Sequence, residues 1–115
     1  MQPMTVFYVQ NPINSAMFYA ELLNAQILEQ QTTFCLLLVN GVKLAFWQAN
    51  QVQPVVNFEG ANSEFALKVD NTNQVDELFK AWQSQFIVLQ TPTQVFGYTF
   101  TLQDCDGIRV RVYSI

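Results

Sequence analysis

The chain has 115 residues, half of them apolar, which is enough material for one compact domain with a proper core. Five Lys and Arg residues stand against nine Asp and Glu residues, so the net charge is −4, and this excludes a basic nucleic-acid-binding surface. No histidine is present, which removes the commonest ligand of zinc and non-haem iron and the usual general base of Ser-His and Cys-His catalysis.

The first half of the chain has the residue pattern of a βαβββ unit. Asn11-Pro12 separates a β-branched and aromatic run from a segment with helical spacing, and Asn11 or Asn14 is suited to cap that helix. Asn40-Gly41 is the strongest short hairpin motif and joins the last two strands. The predicted elements are strands at 5–9, 26–31, 33–39 and 42–48 and a helix from about residue 11 to residue 24.

The second half repeats this order. Apolar residues at i, i+3, i+4 and i+7 predict one helix face, formed by Val75, Leu78, Phe79 and Trp82. Asp70-Asn71-Thr72 supplies the helix cap, and residues 104–107 form a turn before the last strand. The predicted elements are strands at 64–69, 86–89, 96–102 and 108–113 and a helix that ends near Gln85.

The two halves are predicted to be diverged copies of one unit. Residues 40–47 align with residues 106–113, about 66 positions apart, and residues 9–11 align with residues 69–71, about 60 positions apart. Two matches in the same order are explained most simply by a duplication. We therefore predict module one at 1–49, a linker at 50–62 that contains Pro54 and Gly60, and module two at 63–115.

The polar residues and the cysteines indicate an intracellular protein that associates with itself. Fourteen Gln and nine Asn residues make a surface that repels itself weakly. Cys35 and Cys105 have no spacing typical of a metal site or a disulfide framework, so we expect two reduced thiols and a cytoplasmic location. The longest apolar run, residues 34–39, is far below the ~18 residues of a membrane span, and no export signal is recognisable. We therefore expect no membrane partner.

Several motifs resemble the vicinal-oxygen-chelate superfamily of glyoxalase I, bleomycin-resistance proteins and extradiol dioxygenases. The motifs are Val9-x-Asn11, Phe18-Tyr19 with Leu22-Leu23, residues 65–71, Phe96-Gly97, and Asp104-Cys105-Asp106-Gly107. The last motif is usually Asp-Pro-Asp-Gly, and here Cys105 replaces the proline. The resemblance covers nearly the whole chain. It implies an α+β fold of two tandem βαβββ modules whose mixed sheets curl around a cavity, usually in a homodimer.

Alternation of side chains sorts the first and last strand of each module into two faces. One face is uniformly apolar and is predicted to pack on the helices; it consists of Phe7, Val9, Val42, Leu44, Phe46, Phe65, Leu67, Val69, Ile108, Val110 and Val112. The other face mixes aromatic, small and charged residues; it consists of Met4, Val6, Tyr8, Lys43, Ala45, Trp47, Glu64, Ala66, Lys68, Arg109, Arg111 and Tyr113. The resemblance implies that this second face lines the cavity.

Metal-using members of the superfamily carry four ligands on these strands, and the resemblance places the corresponding positions at Met4, Ala45, Glu64 and Arg111. A thioether, a methyl group, one carboxylate and a guanidinium group cannot hold a divalent ion. We therefore expect no metal and no other cofactor, and the metal-dependent isomerase and dioxygenase chemistry of the family loses its Lewis acid. Glu64 and Arg111 are instead expected to form an ion pair.

The predicted function is metal-free binding of a small organic molecule. Tyr8, Trp47 and Tyr113 are flat and amphipathic and lie among small residues, which suits a planar ligand. This resembles bleomycin-resistance and other antibiotic-sequestering members, so a drug or an aromatic metabolite in a dimer cavity is the expected ligand. The predicted ligand-binding residues are Tyr8, Trp47, Glu64, Arg111 and Tyr113, and no residue is predicted to be catalytic.

Two other functions stay open at this point. The first is an enzyme of the same superfamily, isomerase-like, lyase-like or dioxygenase-like, that uses Tyr8, Glu64 or Lys68 as acid or base without the metal. The second is a structural or partner-binding module whose aromatic residues fill the cavity or a dimer interface. Asp104 and Asp106 could act as paired carboxylates, but their place beside Gly107 favours a turn. The trio Thr99, Thr101 and Gln103 is expected on the solvent face of a strand.

Overall fold

The computed structural model describes residues 2–53, 55, 64–95 and 97–115. The chain divides into two compact units, Met1–Phe58 and Glu59–Ile115. The strands are β1 (Met4–Val9), β2 (Gln26–Gln30), β3 (Phe34–Val39), β4 (Val42–Gln48), β5 (Glu64–Lys68), β6 (Ile87–Val95), β7 (Gly97–Gln103) and β8 (Arg109–Ser114), and the helices are α1 (Pro12–Leu23) and α2 (Thr72–Trp82). Neither of these described helices is long and apolar enough to cross a membrane.

Each unit has the βαβββ order and contains one mixed sheet. The first sheet has the strand order β1-β4-β3-β2 and the second has the order β5-β8-β7-β6. The first and last strands of each unit pair in parallel, and the other pairs are antiparallel. This confirms the predicted α+β fold of two βαβββ modules.

The strand registers agree with the internal repeat seen in the sequence. Val6 lies opposite Ala45 in the first unit, and Ala66 lies opposite Arg111 in the second. These pairs have the same spacing as the aligned sequence segments, so equivalent positions of the two copies occupy equivalent places in their sheets. The predicted linker at 50–62 is described only at 50–53 and 55, where a 3-10 turn covers Ala49–Gln51, and its other residues lie outside the described part.

Both helices begin at an asparagine cap. The Asn11 side chain accepts a hydrogen bond from the backbone of Asn14 at 3.1 Å, which settles the choice between these two residues for α1. Asn71 does the same for α2, accepting from the backbone of Gln74 at 3.0 Å. Helix α2 ends at Trp82 rather than near Gln85, because the following residues form a tighter turn in which the Gln85 backbone donates to the Trp82 carbonyl.

The helix of each unit packs on the apolar face of its own sheet, as predicted. In the first unit, the Phe46 ring stacks on Tyr19 of α1 with ring centroids 5.4 Å apart. In the second unit, Phe79 of α2 meets Phe100 edge to face at 5.4 Å. The residues of this face are buried or half-buried, except Val42 at the start of β4. Burial of these side chains is the main driving force for both units.

A polar contact also ties α2 to its sheet. The Tyr98 hydroxyl of β7 donates to the Asp76 carboxylate at 2.7 Å. This hydrogen bond, with burial and the nearby negative charge as smaller causes, raises the pKa of Tyr98. Asp76 of α2 therefore has a tertiary partner on the sheet of its own unit.

Strand β6 differs from its prediction. The sequence predicts a strand at 86–89 and a break before the next strand, whereas β6 runs over Ile87–Val95 and continues through Pro92. Its pairing with β7 shifts register twice, between Val88 and Gln90 and between Gln90 and Thr93. A proline is tolerated here because β6 is an edge strand and the irregular pairing leaves its missing N–H without a ladder partner. Phe96, the predicted start of the next strand, lies outside the described residues.

We predict that Gly97→Ala destabilises the protein by about 2 kcal/mol or more, while Gly41→Ala costs only about 1 kcal/mol. Both glycines have positive φ, at +68° and +77°. A Cβ at Gly97 would overlap the Ser114 carbonyl, whereas a Cβ at Gly41 meets nothing within 4 Å. The measurement is the urea-unfolding free energy of both variants. Equal losses would show that backbone conformation alone decides and that the approach to β8 is unimportant.

Candidate functional site

Each sheet has a distal face, defined as the face turned away from the helix of its own unit. The first distal face carries Met4, Val6, Tyr8, Phe34, Leu36, Leu38, Lys43, Ala45 and Trp47. The second distal face carries Glu64, Ala66, Lys68, Thr99, Thr101, Gln103, Arg109, Arg111 and Tyr113. The predicted site residues all lie on these two faces: Tyr8 and Trp47 on the first, and Glu64, Arg111 and Tyr113 on the second.

A row of three aromatic rings crosses the first distal face. Trp47 of β4 lies between Tyr8 of β1 and Phe34 of β3 in the strand register. The Tyr8 and Trp47 ring centroids are 6.5 Å apart at 72°, and those of Phe34 and Trp47 are 6.4 Å apart at 83°, so both contacts are edge to face. All three residues are half-buried and keep part of their ring surface exposed.

Phe34 was missed by the sequence reasoning, although the sequence contained the information needed to find it. The Asn40-Gly41 turn leaves Val39 opposite Val42, and counting back along this hairpin places Phe34 opposite Trp47. Only the first and last strands of each module were sorted into faces at the sequence level. The register of the hairpin is therefore sufficient to place Phe34 beside Trp47.

A row of smaller apolar residues lies beside the aromatic row. It consists of Val6, Ala45 and Leu36 on the same three strands, and Ala45 at its centre is fully buried. Ala45 adds little bulk next to the Trp47 ring, so the aromatic row stands above its neighbours on this face. Partly exposed aromatic rings beside smaller apolar residues favour contact with a planar apolar molecule.

An ion pair lies on the second distal face. The Arg111 Nε donates to the Glu64 Oε2 at 2.8 Å, which confirms the predicted pair. The Arg111 Nη1 donates to the Thr99 hydroxyl oxygen at 3.3 Å, and that hydroxyl donates to the Val112 carbonyl at 2.8 Å. The side chains of Arg111 and Glu64 are 22% and 41% exposed, so water screens the pair in part.

Thr99 and Thr101 do not lie on a solvent face, contrary to the prediction. They are 0% and 2% exposed, and Thr101 lies directly opposite Arg111 in the strand register. The Thr101 Oγ1 is buried with no hydrogen-bond partner among the described residues. Gln103, the third member of the predicted trio, is half-buried and its amide donates to the Gly107 carbonyl at 3.4 Å. The prediction was wrong because a strand face made of polar residues is not necessarily exposed to solvent.

The side chains at the four positions implied for a metal do not fit a divalent ion. Met4 and Glu64 begin the first strands of their units, and Ala45 and Arg111 occupy equivalent places on the last strands. Only Glu64 offers an oxygen ligand, and it is already bound to a guanidinium group, which repels cations. Among the described residues, no group of three or more His, Cys, Asp or Glu is arranged to hold a metal ion.

The Asp104 carboxylate has a structural role in the turn formed by residues 104–107. The buried Asp104 carboxylate accepts hydrogen bonds from the backbones of Asp106 at 2.9 Å and Ile108 at 2.8 Å. Both thiols are free; Cys35 is buried and Cys105 is exposed in this turn. Partial desolvation of the thiol, and then the negative charges of Asp106 and Asp104, raise the pKa of Cys105, so it is a weak nucleophile at neutral pH. This turn is therefore a poor candidate for catalysis.

We predict that the coupling energy between Glu64 and Arg111 is at most about 1 kcal/mol, because both side chains are partly exposed. The test is a double-mutant cycle of Glu64→Gln, Arg111→Gln and the double variant, followed by urea unfolding. The coupling should decrease as salt is added. A coupling of about 3 kcal/mol that salt does not reduce would contradict this, because it would indicate a fully desolvated pair.

Comparison with known proteins agrees with this architecture. A sequence model of the Glyoxalase/Bleomycin resistance protein/Dioxygenase superfamily matches residues 2–112. A protein from Agrobacterium tumefaciens, solved by NMR, is similar with 42% identity and a TM-score of 0.89, over 100% of this chain and 97% of that one. A search of curated proteins finds no match.

Two further solved structures share the fold at lower identity. A glyoxalase/bleomycin resistance protein/dioxygenase family enzyme from Burkholderia phytofirmans PsJN has 16% identity and a TM-score of 0.84, over 97% of this chain and 96% of that one. Lactoylglutathione lyase from Agrobacterium tumefaciens has 15% identity and a TM-score of 0.77, over 99% of this chain and 92% of that one. Because the sequence model of the family matches residues 2–112, this chain belongs to the glyoxalase/bleomycin resistance protein/dioxygenase superfamily.

Proposed function

We propose that this chain is a small-molecule-binding protein of the glyoxalase and bleomycin-resistance type that works without a metal ion. Its ligand is a planar aromatic molecule, such as a drug or an aromatic metabolite, which the protein sequesters. The observation that carries the proposal is the row of half-buried rings formed by Tyr8, Trp47 and Phe34.

The ring geometry supports binding. Tyr8 and Phe34 meet the Trp47 ring at steep angles, so the three rings are held apart from parallel stacking with one another. Partly exposed ring surface therefore stays available for a ligand, on strands that hold the rings in place. Placing the aromatic row on a sheet rather than on a loop also lowers the entropy lost on binding.

The residues at the metal positions support a role without metal. The guanidinium of Arg111 stands where the family resemblance implies a ligand, and the Glu64 carboxylate is bound to it. The alternative of a metal-independent enzyme has less support, because Glu64 is engaged in this pair and Lys68 is exposed on its strand. The two free cysteines fit a reducing compartment, so we place the protein in the cytoplasm.

We predict that a neutral planar aromatic probe, 2-naphthol, shifts the indole N–H resonance of Trp47 in a ¹⁵N-labelled sample and leaves that of Trp82 unchanged. Trp82, the last residue of α2, is only 9% exposed and serves as an internal control. Trp47→Leu keeps apolar bulk but removes the ring, and it should weaken binding by about tenfold. Equal shifts of both indoles, or unchanged affinity of Trp47→Leu, would refute binding at the aromatic row.

We also propose that the protein is a homodimer. Edge strand β6 exposes large apolar side chains, with Ile87 60% and Val95 61% exposed, and such an edge favours association. Light scattering at micromolar concentration should give twice the 13.2 kDa chain mass. Ile87→Lys should shift the mass toward the monomer, whereas Gln83→Lys, directly after the end of α2, should not. A monomeric wild type would show that β6 is merely an exposed edge.

A further inference from the structure

Positive charge is concentrated on the second distal face. The chain has five Lys and Arg residues and a net charge of −4. Three of the five cations lie on this face, namely Lys68, Arg109 and Arg111, and the acidic residue beside them is Glu64. Within the described part of the chain, Lys68 and Arg109 have no ion-pair partner. An acidic protein therefore presents one face with an excess of positive charge, which attracts an anion.

We propose that the second distal face binds the carboxylate group of a small organic ligand, with Arg111 as its anchor. This goes beyond the proposed function, because it assigns the second unit a binding position and a ligand class of its own. Arg111 already holds one carboxylate, that of Glu64, through Nε at 2.8 Å. The chain itself thus shows that a carboxylate fits this guanidinium group.

Two hydrogen-bonding groups are available to a ligand, one on Arg111 itself and one on the threonine opposite it. The Arg111 Nη2 makes no hydrogen bond among the described residues, although Nε and Nη1 each make one. The Thr101 hydroxyl belongs to the residue directly opposite Arg111 in the register, and it is buried without a hydrogen-bond partner in the described part of the chain. A buried hydroxyl without a hydrogen bond is costly, and such groups are kept where function needs them. A carboxylate that takes the place of Glu64 on the Arg111 fork would accept from Nε and Nη2 and, after a small rotation of the threonine, from Thr101.

In the unbound protein, the Glu64 carboxylate is bound to the Arg111 guanidinium group. Its side chain is 41% exposed and reaches Arg111 from the first residue of β5, so it can turn out to water. The incoming carboxylate replaces that of Glu64 on the guanidinium group, and Lys68 and Arg109 supply the surrounding positive potential. Glu64 therefore acts as an internal competitor that keeps Arg111 paired in the unbound protein.

The test is an NMR titration of the ¹⁵N-labelled protein with benzoate, read on the β7 and β8 amides and the Arg111 Nε–H. Benzamide is the uncharged control of the same shape, and phenyl phosphate is the tetrahedral anion. Saturable benzoate shifts on these strands, weakened by salt, with little effect of benzamide, are expected. Preference for benzamide over benzoate, or for phenyl phosphate over benzoate, would overturn the carboxylate assignment.

Variants separate the anchor from general charge effects. Arg111→Gln should weaken benzoate binding by about tenfold or more, and Arg111→Lys should recover only part of it, because lysine lacks the planar fork. Lys80→Gln removes the same charge from α2 and should change affinity by less than about twofold. If Arg111→Gln fails to fold, Arg111→Lys and Glu64→Gln carry the test. Equal benzoate affinity in the wild type and Arg111→Lys would refute a two-point contact between the guanidinium group and the carboxylate.

Glu64→Gln and Thr101→Val give results that a purely structural cluster would not. Glu64→Gln removes the competing charge and should tighten benzoate binding by about threefold or more. Thr101→Val removes the unpartnered hydroxyl, so it should leave the melting temperature unchanged or higher while it weakens benzoate binding. Weaker binding in Glu64→Gln would overturn the competitor role.

Because 2-naphthol binding is read at Trp47, failure with benzoate leaves the proposed function standing, and failure with 2-naphthol does not affect the anion result.

Discussion

The parallel pairing of the first and last strands in each unit is the constraint on which the rest of the structure depends. It sets Val6 against Ala45 and Ala66 against Arg111, and thereby decides which side chains share a face. A shift of one residue would turn every side chain of a strand to the other face. Because the helix-facing residues are apolar, such a shift would expose the core, so core burial holds both distal faces in register.

The two copies of the unit use this shared framework for different chemistry. The central place of the distal face holds Ala45 in the first copy and Arg111 in the second. The neighbouring place holds Trp47 in the first copy and Tyr113 in the second, and their β3 and β7 partners are Phe34 and Thr99. One face has become aromatic and the other cationic and hydroxyl-rich. Duplication followed by divergence explains this, because the apolar face that folds each unit stays under the same packing requirement.

The buried polar residues of the second distal face contribute little to the stability of the fold. A buried hydroxyl without a hydrogen-bond partner among the described residues, as in Thr101, costs about 1–3 kcal/mol, and a partly exposed ion pair contributes at most about 1 kcal/mol. Valine would fill nearly the same space as Thr101 without that cost. Core packing therefore does not explain the threonine opposite Arg111, which agrees with the anion site proposed above.

The sequence by itself determined the element order, the asparagine caps, the hairpin at Asn40-Gly41 and the apolar face of each sheet, because these follow from local periodicity and turn chemistry. It also placed Glu64 and Arg111 close enough to pair. Only the tertiary structure decided that β6 continues through Pro92 and that Thr99 and Thr101 are buried. The reason is physical: alternation says which side of a strand a residue faces, but whether that side meets water depends on what the neighbouring strands and their side chains cover.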